Sequence, residues 1–143
     1  MDHLLSQPDR RWQGEPPATE EEIARLVQAC DAELPQEYLS LLRYSNGGEG
    51  PLALAPLVFV LYRVNDTIGM MADQFYRGEF PAYRFFGGNG GLELLAFDLR
   101  NGSPYPIVMI DPIAGSESAV EIAPSFAKFC EAIGLECDDP HDA

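Results

Sequence analysis

The stretch from Leu34 to Gly48, LPQEYLSLLRYSNGG, constrains this chain more than any other. Leu34, Tyr38, Leu41 and Leu42 recur at helical spacing and share one apolar face, which predicts a short amphipathic helix from Pro35 to Ser45. Pro35 suits the first turn, where its missing N–H leaves nothing unsatisfied. Asn46-Gly47-Gly48 enter the left-handed backbone region at little cost, so they stop the helix and reverse the chain.

Upstream, Thr19 and Glu22 form a T-x-x-E capping box that starts a first helix at Thr19. Its buried stripe is Ile23, Leu26, Val27 and Cys30. Glu20, Glu21 and Glu22 favour the positive helix N-terminus, so the acidic run reads first as a helix-start device and only second as a partner contact. The short connection between the two helices predicts a hairpin. Residues 1–17 read as a polar, proline-bearing arm with Trp12 docked in a groove. Leu57–Tyr62, LVFVLY, is β-rich, and its lack of alternation predicts burial on both faces. Asn65 or Asp66 is placed to cap a third helix that carries Ile68, Met71 and Phe75 and ends at Arg77-Gly78.

The second half turns to strands: Tyr83–Phe86, Leu92–Asp98, Pro106–Asp111 and an edge strand Ser118–Ile122. Asn101-Gly102 supplies turn chemistry for an antiparallel pair. A closing helix starts near Pro124, buries Phe126, Phe129, Cys130 and Ile133, and stops at Gly134. Helices, then consecutive strands, then a helix predict one α+β domain, a mostly antiparallel sheet packed by N-terminal helices and a C-terminal helix. The domain spans 18–136, with an arm over 1–17 and an acidic tail over 137–143.

Nine Lys and Arg stand against 23 Asp and Glu, a net charge of −14 over 143 residues. That field repels phosphate backbones, which disfavours a nucleic-acid binder. It attracts and steers a basic partner, or it simply maintains solubility. No run reaches the roughly 18 apolar residues of a membrane span, and no secretory leader is visible, so a cytoplasmic location is expected. Cys30, Cys130 and Cys137 form no disulfide framework, and Cys130, Cys137 and His141 match no standard zinc spacing. His3 and His141 sit near the termini, which disfavours histidine chemistry. Gly87–Gly91 lead into a strand, not into a helix N-terminus, so a phosphate-loop reading fails. Asp98 and Asp111 read as strand-end turn residues, with paired catalytic carboxylates as the remote alternative. Phe75, Tyr76, Phe80, Tyr83, Phe85 and Phe86 read as core, with Tyr76 and Tyr83 as candidate exposed anchors. The sequence therefore predicts no enzyme, no cofactor and no metal.

The order of these pieces resembles the SMI1/KNR4 (SUKH) superfamily. The resemblance runs through Trp12 with Pro16-Pro17, the helix Thr19–Cys30, the Leu34-Pro35-x-x-Tyr38 helix and Ser45-Asn46-Gly47-Gly48. It continues through the strand pair Phe85–Asp98, Ile107-Val108 and the APSFAKF helix from Ala123 to Phe129. The apolar Leu52–Tyr62 segment and a long third helix depart from the pattern. Bacterial members act as immunity proteins that neutralise a toxin, often a nuclease or deaminase, while fungal members regulate cell-wall processes. The resemblance thus implies an α+β protein-binding module whose partner is a toxin domain with a basic surface. Exposed acids and aromatics become the candidate partner-binding residues: Glu49, Asp73, Glu79, Tyr83 and Asp98. A regulator or scaffold in cell-envelope processes, and a small-ligand binder with a cleft near Gly87–Gly91, remain the alternatives. Oligomeric state is left open.

Overall fold

The structure, a computed structural model, describes residues 3–137; His141 and most of the expected acidic tail lie outside the described residues. Every strand pairs antiparallel with the one before it. The order is β1 (Gln13–Gly14), β2 (Gly48–Pro51), β3 (Val58–Leu61), β4 (Tyr83–Gly88), β5 (Leu94–Asp98), β6 (Ile107–Ile110) and β7 (Val120–Ala123). Helices α1 (Glu20–Ala29) and α2 (Gln36–Tyr44) precede β2, α3 (Val64–Ala72) and α4 (Gln74–Glu79) join β3 to β4, and α5 (Phe126–Cys130) follows β7. The fold is α+β.

The capping box forms as the sequence requires. Thr19 accepts the Glu22 amide at 3.1 Å and the Glu22 carboxylate accepts the Thr19 amide at 2.9 Å. Ile23 and Leu26 are buried, but Val27 is 47% exposed, so the buried stripe of α1 is narrower than expected. Pro35 sits at the N-cap of α2, and Tyr38, Leu39, Leu41 and Leu42 bury its inner face.

Side chains alternate across the sheet because strand period is two. On one face, Phe59, Leu61, Phe86, Leu95, Phe97 and Ile107 meet the helices in the main core. Phe86 is its hub, with ring centroids of Tyr38, Phe59, Phe97, Phe126 and Phe129 between 4.6 and 6.0 Å away. On the other face, Tyr83, Phe85, Leu94, Ala96, Val108 and Ile110 are covered by Phe80 and Tyr76 from α4 and its exit, and by Met70 from α3. A bulge between Phe85 and Gly87 resets the β4 register so that both faces stay filled.

Three expectations are corrected here. Leu57–Tyr62 is not buried on both faces. Phe59 and Leu61 are buried while Val58 is 41% exposed, because the cluster that fills the second face lies over β4–β6 and does not include it. The third helix is two helices. Asp73 ends α3 and caps α4 by accepting the Phe75 amide at 2.8 Å, a local bond that competes with helix continuation. Neither Asn65 nor Asp66 caps α3; both lie inside it. The arm was expected to lie on the domain, and it also contributes the strand β1.

Candidate functional site

Ser45-Asn46-Gly47-Gly48 is a structural junction. Ser45 is fully buried, and its hydroxyl accepts the Glu15 amide at 2.9 Å and the Trp12 indole N–H at 3.3 Å while donating to the Gly47 carbonyl. Asn46 Oδ1 accepts the Val64 amide at 2.8 Å, capping α3 from a distant loop, and its own amide donates to the Pro16 carbonyl at 3.0 Å. Gly48 has φ of 121°, and a Cβ there would lie 2.9 Å from the Trp12 ring and 2.6 Å from the Gln13 carbonyl oxygen. Only glycine lets the arm tryptophan lie flat on β2, where it meets Phe59 at 5.7 Å.

The connections around this junction form one end of the sheet, and three of its arginines are paired with acids. Arg63 pairs with Glu15 at 3.2 Å, Arg84 with Asp31 at 2.8 Å and Arg100 with Asp98 at 2.8 Å. Two of the sequence-selected residues meet here. Tyr83 stands opposite Asp98 in the β4–β5 register, and the Arg100 guanidinium lies 5.6 Å from the Tyr83 ring centroid while gripping both Asp98 oxygens. The expectation that these two side chains are exposed is corrected: Tyr83 is 7% and Asp98 is 4% exposed. The aromatic packing of the second face holds Tyr83 in, and Arg100 satisfies the Asp98 charge so that it tolerates burial. Hydrogen bonding from Arg100 holds the Asp98 carboxyl below the usual carboxylate range.

The other sequence-selected residues lie apart from these. Asp73 and Glu79 are exposed at the two ends of α4. Glu49 is exposed on β2, opposite Gln13 and Val60, on the uncovered face of β1–β3. It lines a shallow groove of about 560 Å³ with Arg11, Trp12, Leu57, Val58 and Cys137. Arg11 is paired there with Glu136 at 3.1 Å, which leaves Glu49 without an opposing cation in the groove.

The end of the sheet away from the junction has a different character. Antiparallel register brings three connections together there: β2–β3 (residues 52–57), β4–β5 (89–93) and β6–β7 (111–119). Of the seven large hydrophobic side chains exposed among the described residues, five sit at this end: Leu57 50%, Val58 41%, Leu92 60%, Ile113 81% and Val120 53%. Leu57 also holds a left-handed backbone, φ 76°, unusual for a leucine. The three connections contain Glu93, Asp111 and Glu117 but no Lys or Arg. These apolar tips escape a reading of the sequence because an apolar residue in a strand-rich region looks like core. The available signal was their setting, Ile113 inside Asp-Pro-Ile-Ala-Gly and Leu92 behind a double glycine, where no strand can bury them.

The carboxylate pair weighed from the sequence, Asp98 with Asp111, does not come together. The β5–β6 register puts Asp98 and Asp111 at opposite ends of their hairpin. No group of three His, Cys, Asp or Glu among the described residues could hold a metal. Burial pushes the Cys30 thiol up and the Cys130 thiol to about 12, which keeps both neutral and unreactive. Gly87–Gly91 closes into a tight turn, with Asn89 Oδ1 accepting the Gly91 amide at 2.8 Å and the Glu93 amide at 3.2 Å. No helix among the described residues is long and apolar enough to cross a membrane.

No curated protein matches the chain significantly. The SMI1 / KNR4 family model (SUKH-1) matches residues 17–132, from the end of the arm through α1, the Ser45-Asn46 junction and strands β2 to β7 to the end of α5. The chain belongs to the SMI1/KNR4 (SUKH-1) family.

Proposed function

We propose that this chain is a non-enzymatic binding module of the immunity type, which neutralises a toxin domain with a basic, nuclease-like surface by covering it. The observation that carries this reading is the imbalance of exposed charge. Six of the nine Lys and Arg are engaged in ion pairs. Exposed acids such as Glu49, Asp73, Glu79, Glu117 and Glu121 face solvent with no cation in an ion pair with them among the described residues. A field of this sign steers a cationic protein into contact and complements the channel that such a protein uses for a polyanion. Family membership supports the same reading.

Co-expression of the chain with each toxin domain encoded in its own genome tests it. The expected result is restored growth with one toxin, stoichiometric inhibition of that toxin in vitro, and an association rate that falls steeply as salt rises. Unimpaired toxicity in every pairing overturns the reading. A complex whose association rate ignores salt overturns its electrostatic part.

A further inference from the structure

We propose that the three-loop end of the sheet is the docking surface for the basic partner, with Leu57, Leu92, Ile113 and Val120 as apolar anchors and Glu93, Asp111 and Glu117 as the acidic rim. This assignment rests on the immunity-type reading and gives it a location that excludes the α4 acids from the primary contact.

Exposed apolar residues scattered singly need no explanation, but here they are concentrated. Five of seven lie at one end of one sheet, Leu57, Leu92 and Ile113 on connections held side by side by strand register and Val58 and Val120 at the first positions of the strands that leave them. The tips are built on rigid supports. The β4–β5 turn is braced by Asn89. The β6–β7 loop is braced by Asp111, which accepts the Ile113 amide at 2.9 Å, and by the Ser118 hydroxyl, which accepts the Asp111 amide at 2.9 Å. The β2–β3 turn holds Leu57 in its left-handed conformation through bonds from the Leu57 amide to Leu54 and from the Leu52 amide to the Leu57 carbonyl. Preorganised tips lose little conformational entropy on docking. Apolar anchors inside a charged rim match the anatomy of a protein interface.

Charge selects the occupant. The tips carry acids and no Lys or Arg, so a partner with a cationic ring around an apolar centre is attracted. A second copy of a chain with net charge −14 would bring Glu117 and Glu93 against like charges. An anionic bilayer is repelled for the same reason.

Two experiments on the full chain test the surface separately from the function. In the first, amide spectra are followed while a ten-residue peptide of alternating Lys and Leu is added. Expected shifts are confined to residues 52–58, 89–93 and 111–120, and the Glu-for-Lys peptide produces none. Shifts centred on α4 or on Arg11, Trp12 and Glu136 at the far side of the groove, no shift at millimolar peptide, equal shifts with the acidic peptide, or self-association through the tips each overturn the assignment without touching the immunity reading. In the second, the triple variant Leu92→Ser, Ile113→Ser, Val120→Thr is compared with the unmodified chain against the toxin found by co-expression. The expected result is a loss of about 100-fold in affinity at unchanged melting temperature, as for removal of central anchors. Full affinity in the variant overturns the surface while the immunity function stands. If the unmodified chain protects against no toxin, the function falls and the peptide titration alone decides the surface.

Discussion

The two ends of the sheet use the same residue types to opposite effect. At the junction end, three arginines are paired with acids, Ser45 is fully buried in hydrogen bonds, and Tyr83 and Asp98 are drawn inside. At the loop end, acids stand without cations and apolar side chains project into water. Exposing apolar area forfeits roughly 25 cal/mol for each Å² that could have been buried, so the loop end gives up stability that the junction end secures. A fold that closes one end and leaves the other open separates the work of holding itself together from the work of contact.

The comparison breaks most visibly at Gly48. Alanine there meets both an unfavourable φ of 121° and the Trp12 ring, so β1 must lift from β2. Gly48→Ala is expected to cost about 3 kcal/mol, from backbone strain and lost tryptophan packing together. Chemical denaturation followed by Trp12 fluorescence measures it. A cost near zero would show that the junction glycines do not hold the arm in place.

Asp98→Asn comes next. It removes a nearly buried charge-assisted bond, for which about 2 kcal/mol is the ordinary scale, partly offset because Arg100 is 59% exposed and regains water. The pH dependence has a definite sign. The Asp98 carboxyl is held below its usual value of 3.8, so its stabilisation is complete above that pH and is lost as pH falls through the depressed value. The native chain should therefore lose more stability than the variant below about pH 4. Parallel acid limbs in the two stability curves would contradict the assigned pairing.

Asn46→Ala is expected to cost about 1 kcal/mol, the scale of a lost N-cap, because the Val64 amide loses its acceptor. Hydrogen exchange should locate the change at the first turn of α3. Faster exchange spread over the whole sheet instead would mean that Asn46 holds more than one helix end.

What the sequence made legible follows from the range of the signal. Thr19 with Glu22, and Leu34 through Gly48, are local codes in which spacing, cap and stop lie within a few turns, and both helices stand where those codes put them. The order of strands β4 to β7 was readable because turn chemistry separates them. The glycine-rich pair β1 and β2 was not, since Gly-Glu-Gly-Pro has little strand propensity of its own and becomes a strand through its pairing with β3 and the packing of Trp12 across its glycines. The break at Asp73 was hidden because an aspartate inside an apolar-periodic run reads as a helix position. The burial of Asp98 depended on Arg100 and on the partner strand, and a charged residue at a strand end looks exposed until its pair is known. The loop-end anchors were missed because only the register shows that three separate turns share one end.

The smallest expected effect is the most informative for the contrast between the ends. Leu92→Ser, Ile113→Ser and Val120→Thr together should change stability by no more than about 0.5 kcal/mol, since each side chain is at least half exposed in the unbound chain. Side chains that stabilise nothing locally, yet sit on braced turns at one end of the molecule, have no reason to be apolar for the sake of the fold. Thermal denaturation of the triple variant measures the point directly. A loss above 2 kcal/mol would mean that the tips pack against the body, and the loop end would then be a second closed end whose exposed area is incidental. An unchanged melting temperature keeps the two ends distinct and leaves contact with another molecule as the use for the exposed leucine, isoleucine and valine.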